Sequence, residues 1–137
     1  MKSNISYLIG ILIVFCSCEK EAGEGGTSSI EGKITANNIG AEIFYNPLTS
    51  QNDTLPLYPV PDQDVYIIYG EGSIYDDSFE TSWDGTYRFN YLRKGTYNLF
   101  TYSDCDTCDS GKLPVFWTVN ITENNKRYYI DDVIIKK

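Results

Sequence analysis

The sequence predicts an all-β protein: an antiparallel two-sheet sandwich of seven strands over residues 30–137. Three observations predict it. No window of the 137 residues sustains apolar positions three and four apart, whereas several runs alternate apolar and polar with period two. Twelve Tyr, six Phe and two Trp against a single Met form a composition that favours pleated strands. Asp-Gly, Lys-Gly and Asn-Asn pairs punctuate the alternating runs at the spacing of a sandwich.

Residues 1–17 read as an export signal. Lys2 gives a positive start, and Tyr7 through Phe15 form an apolar run. That run is far shorter than the roughly 20 residues a spanning helix needs. The stretch Phe15-Cys16-Ser17-Cys18 resembles the lipobox of bacterial lipoproteins, in the looser form of Bacteroidota. Phe15 and Ser17 stand where Leu and Ala or Gly are usual. The resemblance implies cleavage before Cys18, diacylation of its sulfur and attachment to the outer membrane. Glu19 and Glu21 resemble a surface-export signal, implying the cell surface rather than the periplasmic face. The alternatives are an ordinary signal peptide with incidental cysteines, and Cys16 as the modified residue.

Residues 18–29 hold nothing apolar larger than Ala22 beyond the cysteine, so a flexible tether is expected there. Ile30, Gly32 and Ile34 share one parity and open the first strand. After an insertion at about 37–63, Val65, Ile67 and Tyr69 alternate with Tyr66 and Ile68 in a strand apolar on both faces. Phe79 to Trp83 is the next strand, and Asp84-Gly85 marks a two-residue hairpin. Tyr87, Phe89 and Tyr91 line one face of the following strand, and Lys94-Gly95 turns the chain. Tyr97, Leu99 and Thr101 alternate with Phe100 and Tyr102. Val115, Trp117, Val119 and Ile121 define a strand with Pro114 at its start, where a missing N–H is tolerated. Tyr128 to Ile135 closes the chain after Asn124-Asn125. Trp117, Phe89, Tyr97, Leu99 and Ile67 are the expected core. The insertion carries Pro47, Pro56, Pro59 and Pro61, with a short strand expected at Ile43–Tyr45.

The run Asp84-Gly85-Thr86-Tyr87-Arg88-Phe89, continued by Leu92 and Gly95-Thr96-Tyr97, resembles the carboxypeptidase-regulatory-like or prealbumin-like (transthyretin-like) domains. Ile30-Glu31-Gly32-Lys33-Ile34 is similar to their first strand and Asp131-Asp132-Val133-Ile134 to their last. The resemblance implies a Greek-key sandwich and, as a fold shared by many functions, no activity. One enzyme class on that fold, the hydroxyisourate hydrolases, depends on histidines, and this chain has none.

The missing histidine also removes Ser-His-Asp and Cys-His catalysis and His-ligated zinc. A net charge of −8 argues against a nucleic-acid partner. Acids such as Asp76, Asp77, Glu80 and Asp84 sit in turn sequences, and no spacing selects a catalytic pair. No enzyme activity and no cofactor or metal is expected. Cys105 and Cys108 are expected to form a disulfide, because export places them in an oxidising compartment and an Asp-Thr turn brings them close. A calcium loop on Asp104, Asp106 and Asp109 is the alternative. Tyr66, Ile68, Phe100, Tyr102 and Phe116 fall on the parity opposite to the core, where a sandwich should be polar. They are either an exposed face for a glycan or protein partner, or the floor on which the insertion packs. The sequence therefore leads to a non-catalytic, lipid-anchored module of structural or adhesive role, or to a glycan- or protein-binding accessory lipoprotein.

Overall fold

A computed structural model describes residues 21–37, 44–53 and 57–137. Cys18 and the signal segment lie outside the described residues. The described residues form eleven strands: β1 (Glu24–Asn37), β2 (Phe44–Asn46), β3 (Gln51–Asp53), β4 (Tyr58–Pro59), β5 (Asp64–Tyr69), β6 (Asp77–Glu80), β7 (Thr86–Leu92), β8 (Gly95–Asp104), β9 (Lys112–Ile121), β10 (Arg127–Tyr129) and β11 (Val133–Lys136). Among the described residues there is no helix. Sheet I centres on β1, which pairs with β4, β7, β10 and β11. Sheet II has the order β6-β5-β8-β9, and β2 and β3 form a separate hairpin.

The length of β1 explains the four neighbours of sheet I. The Ile34 N–H donates to Gly85 O at 2.8 Å, and the Ile34 carbonyl accepts from Val60 N at 3.1 Å. Both groups of one strand residue point to one side, so β7 and β4 share one edge of β1. That leaves the other edge to β10 and β11. These two run parallel to β1, from Ser29↔Arg127 to Glu31↔Tyr129 and from Ile34↔Val133 to Asn37↔Lys136. The sandwich is thus antiparallel-rich rather than purely antiparallel, and the single closing strand expected at 128–135 is two.

The inner faces meet in one core. Ile30, Ile34, Tyr87, Phe89, Leu92 and Ile135 from sheet I pack with Val65, Ile67, Tyr97, Leu99, Val119 and Ile121 from sheet II. Aromatic contacts cross between the layers, Phe79 to Phe89 at 6.2 Å and Tyr87 to Trp117 at 6.1 Å between ring centroids. Ile67, Phe89, Tyr97 and Leu99 are buried, while Trp117, on edge strand β9, is half-buried against the same core. Gly32 is directly opposite Tyr87. A Cβ there would lie 2.3 Å from the Tyr87 hydroxyl oxygen, so the glycine is the notch that admits the ring.

Three expectations change. Residues 24–29, expected within the flexible tether, are strand instead: β1 begins at Glu24, and Ser28 and Ser29 are buried. Small residues suffice there because the backbone is paired and closely packed; a Cβ on Gly26 would lie 2.0 Å from Leu92 O. The Asp84-Gly85 pair makes a turn, with Gly85 N–H donating to Ser82 O at 2.8 Å and φ at +79°. It does not close a hairpin, since β6 pairs with β5 and β7 with β1. Tyr91 does not join Tyr87 and Phe89 inside. Ser28 is opposite Leu92 and Ile30 opposite Phe89, so β7 carries one extra residue. This bulge holds Tyr91 at φ +58°, 74% exposed, and turns Leu92 inward instead.

Candidate functional site: an aromatic row on the outer face of sheet II

On sheet II the register places Tyr66 opposite Phe100, and Phe100 opposite Phe116. All three point away from the core, because their neighbours Val65, Ile67 and Leu99 are buried within it and Trp117 packs against it. Tyr66 and Phe100 stack at 4.8 Å with an interplanar angle of 17°. Phe100 meets Phe116 at 5.3 Å and Tyr102 edge-on at 5.7 Å. Tyr102 also meets the Tyr66 ring at 6.1 Å.

A fifth ring joins from a loop. The β5–β6 connection folds back because Asp76 N–H donates to Ile67 O at 2.8 Å and the Asp76 carboxylate accepts from Tyr69 N–H at 2.7 Å. Tyr75 is thereby set 4.8 Å from the Tyr66 ring. The same loop brings Gly72 close to Ile68 Cγ2. Ile68 is consequently only 8% exposed and drops out of the expected face. Tyr75 was not legible as a site residue, since a loop residue has no strand parity; the turn-forming Asp76 beside it was the one available signal.

Phe116 is 62% exposed, Tyr75 51% and Tyr102 40%, while Tyr66 and Phe100 are half-buried between them. The described part of the insertion does not form the cover weighed from sequence: β4 joins β1 in sheet I, and the face stays open. The aromatic area also has a boundary. In the adjoining rows Thr118 donates to Asn98 at 2.7 Å and Thr96 to Asn120 at 2.8 Å, so the ordinary polar exterior resumes. Asp64 edges the platform and accepts from the Tyr66 hydroxyl at 3.3 Å. Partial burial, and then the Asp64 charge, push the Tyr66 hydroxyl above its usual pKa, so it stays a donor.

No family model and no curated protein matches the sequence. Matches among solved structures include the following two. One is a Pseudomonas aeruginosa protein provisionally named a carbohydrate binding protein, 10% identical over 85% of this chain and 92% of that one, with a TM-score of 0.49. The other is the Bacillus anthracis TIE protein, 16% identical with a TM-score of 0.48; the match covers 80% of this chain and 17% of that much longer one.

The remaining sequence candidates are structural in their surroundings. Cys105 and Cys108 are joined in a disulfide with Cα atoms 5.4 Å apart, at the tip between β8 and β9. Asp104, the first member of the calcium alternative, is instead ion-paired to Lys112. That hydrogen bond holds its carboxyl below the usual range. Among the described residues, no three His, Cys, Asp or Glu side chains converge as metal ligands. Sequence reasoning also missed a buried polar link at the return of the insertion. There the Gln63 amide donates to Thr101 Oγ1 at 2.9 Å, and the Thr81 hydroxyl donates to Val60 O at 2.6 Å. It ties the residues before β5 to the inner side of sheet II, so that β5 and its outward Tyr66 are held in place.

Proposed function

We propose that this protein is a non-catalytic binding module that offers the outer face of sheet II to a carbohydrate. One observation carries the reading. Tyr75, Tyr66, Phe100 and Phe116 follow one another across the strands at centroid spacings of 4.8, 4.8 and 5.3 Å, open to water at the Phe116 end. Leaving such rings exposed wastes apolar burial unless a partner covers them. A pyranose presents an apolar C–H face that stacks on an aromatic ring and a rim of hydroxyls that needs acceptors. Asp64 and Asn98 supply acceptors at the edge of the row.

A non-catalytic role agrees with the carboxylates. Among the described residues, the carboxyls of Asp84 and Asp104 are both held below their usual range by hydrogen bonds. A glycosidase acid needs the opposite displacement. We extend the proposal to the prealbumin-like Greek-key order and to lipid attachment at Cys18 on the outer membrane, facing the cell surface. The sequence resemblances above support both.

A glycan array probed with the whole chain, followed by calorimetry on the best ligand, tests the binding role. Phe116→Ala combined with Tyr102→Ala should weaken that ligand about tenfold, roughly 1.4 kcal/mol, with the melting temperature nearly unchanged. An array without a single bound glycan rejects the carbohydrate and leaves the structural or adhesive module, or a protein partner, in its place. The anchor is tested separately. Cys18→Ala should abolish incorporation of labelled palmitate, and retained label would move the site elsewhere.

A further inference from the structure

The outer face of sheet I carries a feature unrelated to the aromatic row. A groove of about 490 Å³ runs between β1, β7 and the segment leading into β10. Arg88, Lys126 and Arg127 line it, and no carboxylate does. The chain has 19 acids and 11 basic residues, so the convergence of three cations with no acid goes against its overall balance. The other lining side chains are hydroxyls and amides, among them Thr27, Asn90 and Asn125. The groove is therefore rich in donors, with the three cations donor-only and the hydroxyls and amides able to donate or accept; the Ser28 hydroxyl is already spent on Glu123 O.

The acids that neutralise these cations stand outside the groove. Glu31 is shared: Arg88 Nε lies 2.7 Å and Arg127 Nε 3.7 Å from the same oxygen, Oε1. Lys126 pairs with Glu123 and lies 5.4 Å from the Tyr128 ring centroid. Two carboxylates thus serve three cations, and the groove keeps a net positive charge. The two arginine side chains remain 47% and 61% exposed, so although Arg127 is also hydrogen-bonded to Tyr129, both guanidiniums are reachable from solvent.

The groove is also fixed in shape. Ser28 Oγ donates to Glu123 O at 2.7 Å and accepts from Lys126 N–H at 3.3 Å. Asn125, at φ +54°, donates its N–H to Thr27 Oγ1 at 3.0 Å. These contacts hold the cationic segment against β1 before any ligand arrives, which lowers the ordering cost of binding.

We propose that this groove binds an oxyanion, a phosphate or sulfate group, through Arg88, Arg127 and Lys126. A tetrahedral oxyanion offers several acceptor oxygens to the three donor-only cations, and the hydroxyls and amides can serve any P–OH that remains. The net charge of −8 repels anions at a distance, so binding is short-ranged and weakens with salt. The site lies on the sheet opposite the aromatic row and stands or falls independently of the carbohydrate reading.

The experiment is a nuclear magnetic resonance titration of the full chain with inorganic phosphate and sulfate, against chloride at matched ionic strength. Saturable amide shifts confined to Ser28, Ser29 and 125–127 are expected. Lys126→Gln with Arg127→Gln should weaken binding about tenfold. Lys112→Gln, a charge change on the other sheet, should leave it within about twofold. A second arm compares phosphatidylglycerol with phosphatidylcholine vesicles. A preference for the anionic vesicles that the double variant loses assigns the phosphate to a lipid headgroup; free-anion binding without that preference assigns it to a soluble ligand. No saturable shift, shifts equally strong in chloride, or equal weakening by Lys112→Gln overturns the proposal.

Discussion

The two outer faces of the sandwich use the same geometry for opposite chemistry. On sheet I the directly opposed residues Glu31 and Arg88 form an ion pair at 2.7 Å, and Lys33 is opposite Thr86. On sheet II the directly opposed residues are aromatic rings, Tyr66 and Phe100 stacked at 4.8 Å and Phe100 and Phe116 tilted at 5.3 Å. Cross-strand pairs stabilise a sheet in either case. The difference lies in what water sees. The first face is charged and polar where β1 meets β7, with Tyr91, Tyr129 and Ile134 exposed singly on its strands, whereas the second gathers contacting rings over the two rows that hold Tyr66, Phe100, Phe116 and Tyr102. A departure bounded on one side by the Asn98–Thr118 and Thr96–Asn120 pairs is local and not a generally apolar exterior.

Three changes probe that contrast. The largest effect is expected from Gly32→Val, which drives a side chain into the Tyr87 hydroxyl and ring beneath the polar face. It should cost about 3 kcal/mol in urea unfolding, by overpacking. A loss under about 1 kcal/mol would mean that the Tyr87 ring can move aside. A smaller effect, about 1 kcal/mol, is expected from Glu31→Gln, because Arg88 and Arg127 lose a partly buried partner while the hydrogen-bonding shape remains. Carbohydrate binding should be unaffected, and a shared loss would show that the two faces are coupled.

The smallest effect concerns pH and touches one acid on each sheet. Asp84, in the turn before β7, accepts from the Thr86 hydroxyl at 2.7 Å and from its N–H at 3.2 Å, and these bonds hold its carboxyl low. Asp104 on β8 is held low by Lys112. Both folded-state pKa values are depressed, so the stability they contribute is present above the unfolded carboxylate pKa. It is lost as pH falls from about 4 through the folded values. Melting temperatures should be level from about pH 7 to 5 and decline below about 4. Asp84→Asn with Asp104→Asn should flatten part of that decline.

Much of sheet II was legible because its signal is local. The alternation in 65–69, 97–102 and 115–121 places Val65, Ile67, Tyr97 and Leu99 inside and Tyr66, Phe100 and Phe116 outside, as the structure has them. Sheet I was harder, because its information is non-local. Residues 24–29 look like a spacer by composition, yet their partners are Leu92 of β7 and Arg127 of β10, far along the chain. The bulge that exposes Tyr91 leaves no mark in the period of its own strand. Asp84-Gly85 identifies a turn correctly, but a turn sequence does not encode whether its flanking strands pair with each other. Of the candidate site, four of the five expected residues stand on the open face; Ile68 was lost to a loop whose path depends on the side chain of Asp76.

The Tyr97 hydroxyl accepts from Gly23 N–H at 2.9 Å and donates to Arg93 O at 2.7 Å, while Arg93 N–H donates to Gly23 O at 2.9 Å. The chain is thereby gripped at Gly23, one residue before β1, and β1 is the central strand of sheet I, with neighbours on both edges. Tension applied from the N-terminal side enters the fold at this grip and runs along the axis of that central strand. Its inter-strand hydrogen bonds lie across the pull, so they are loaded together in shear rather than peeled open one after another. A module fastened through its N-terminus would for that reason resist mechanical drag at the end where the drag arrives.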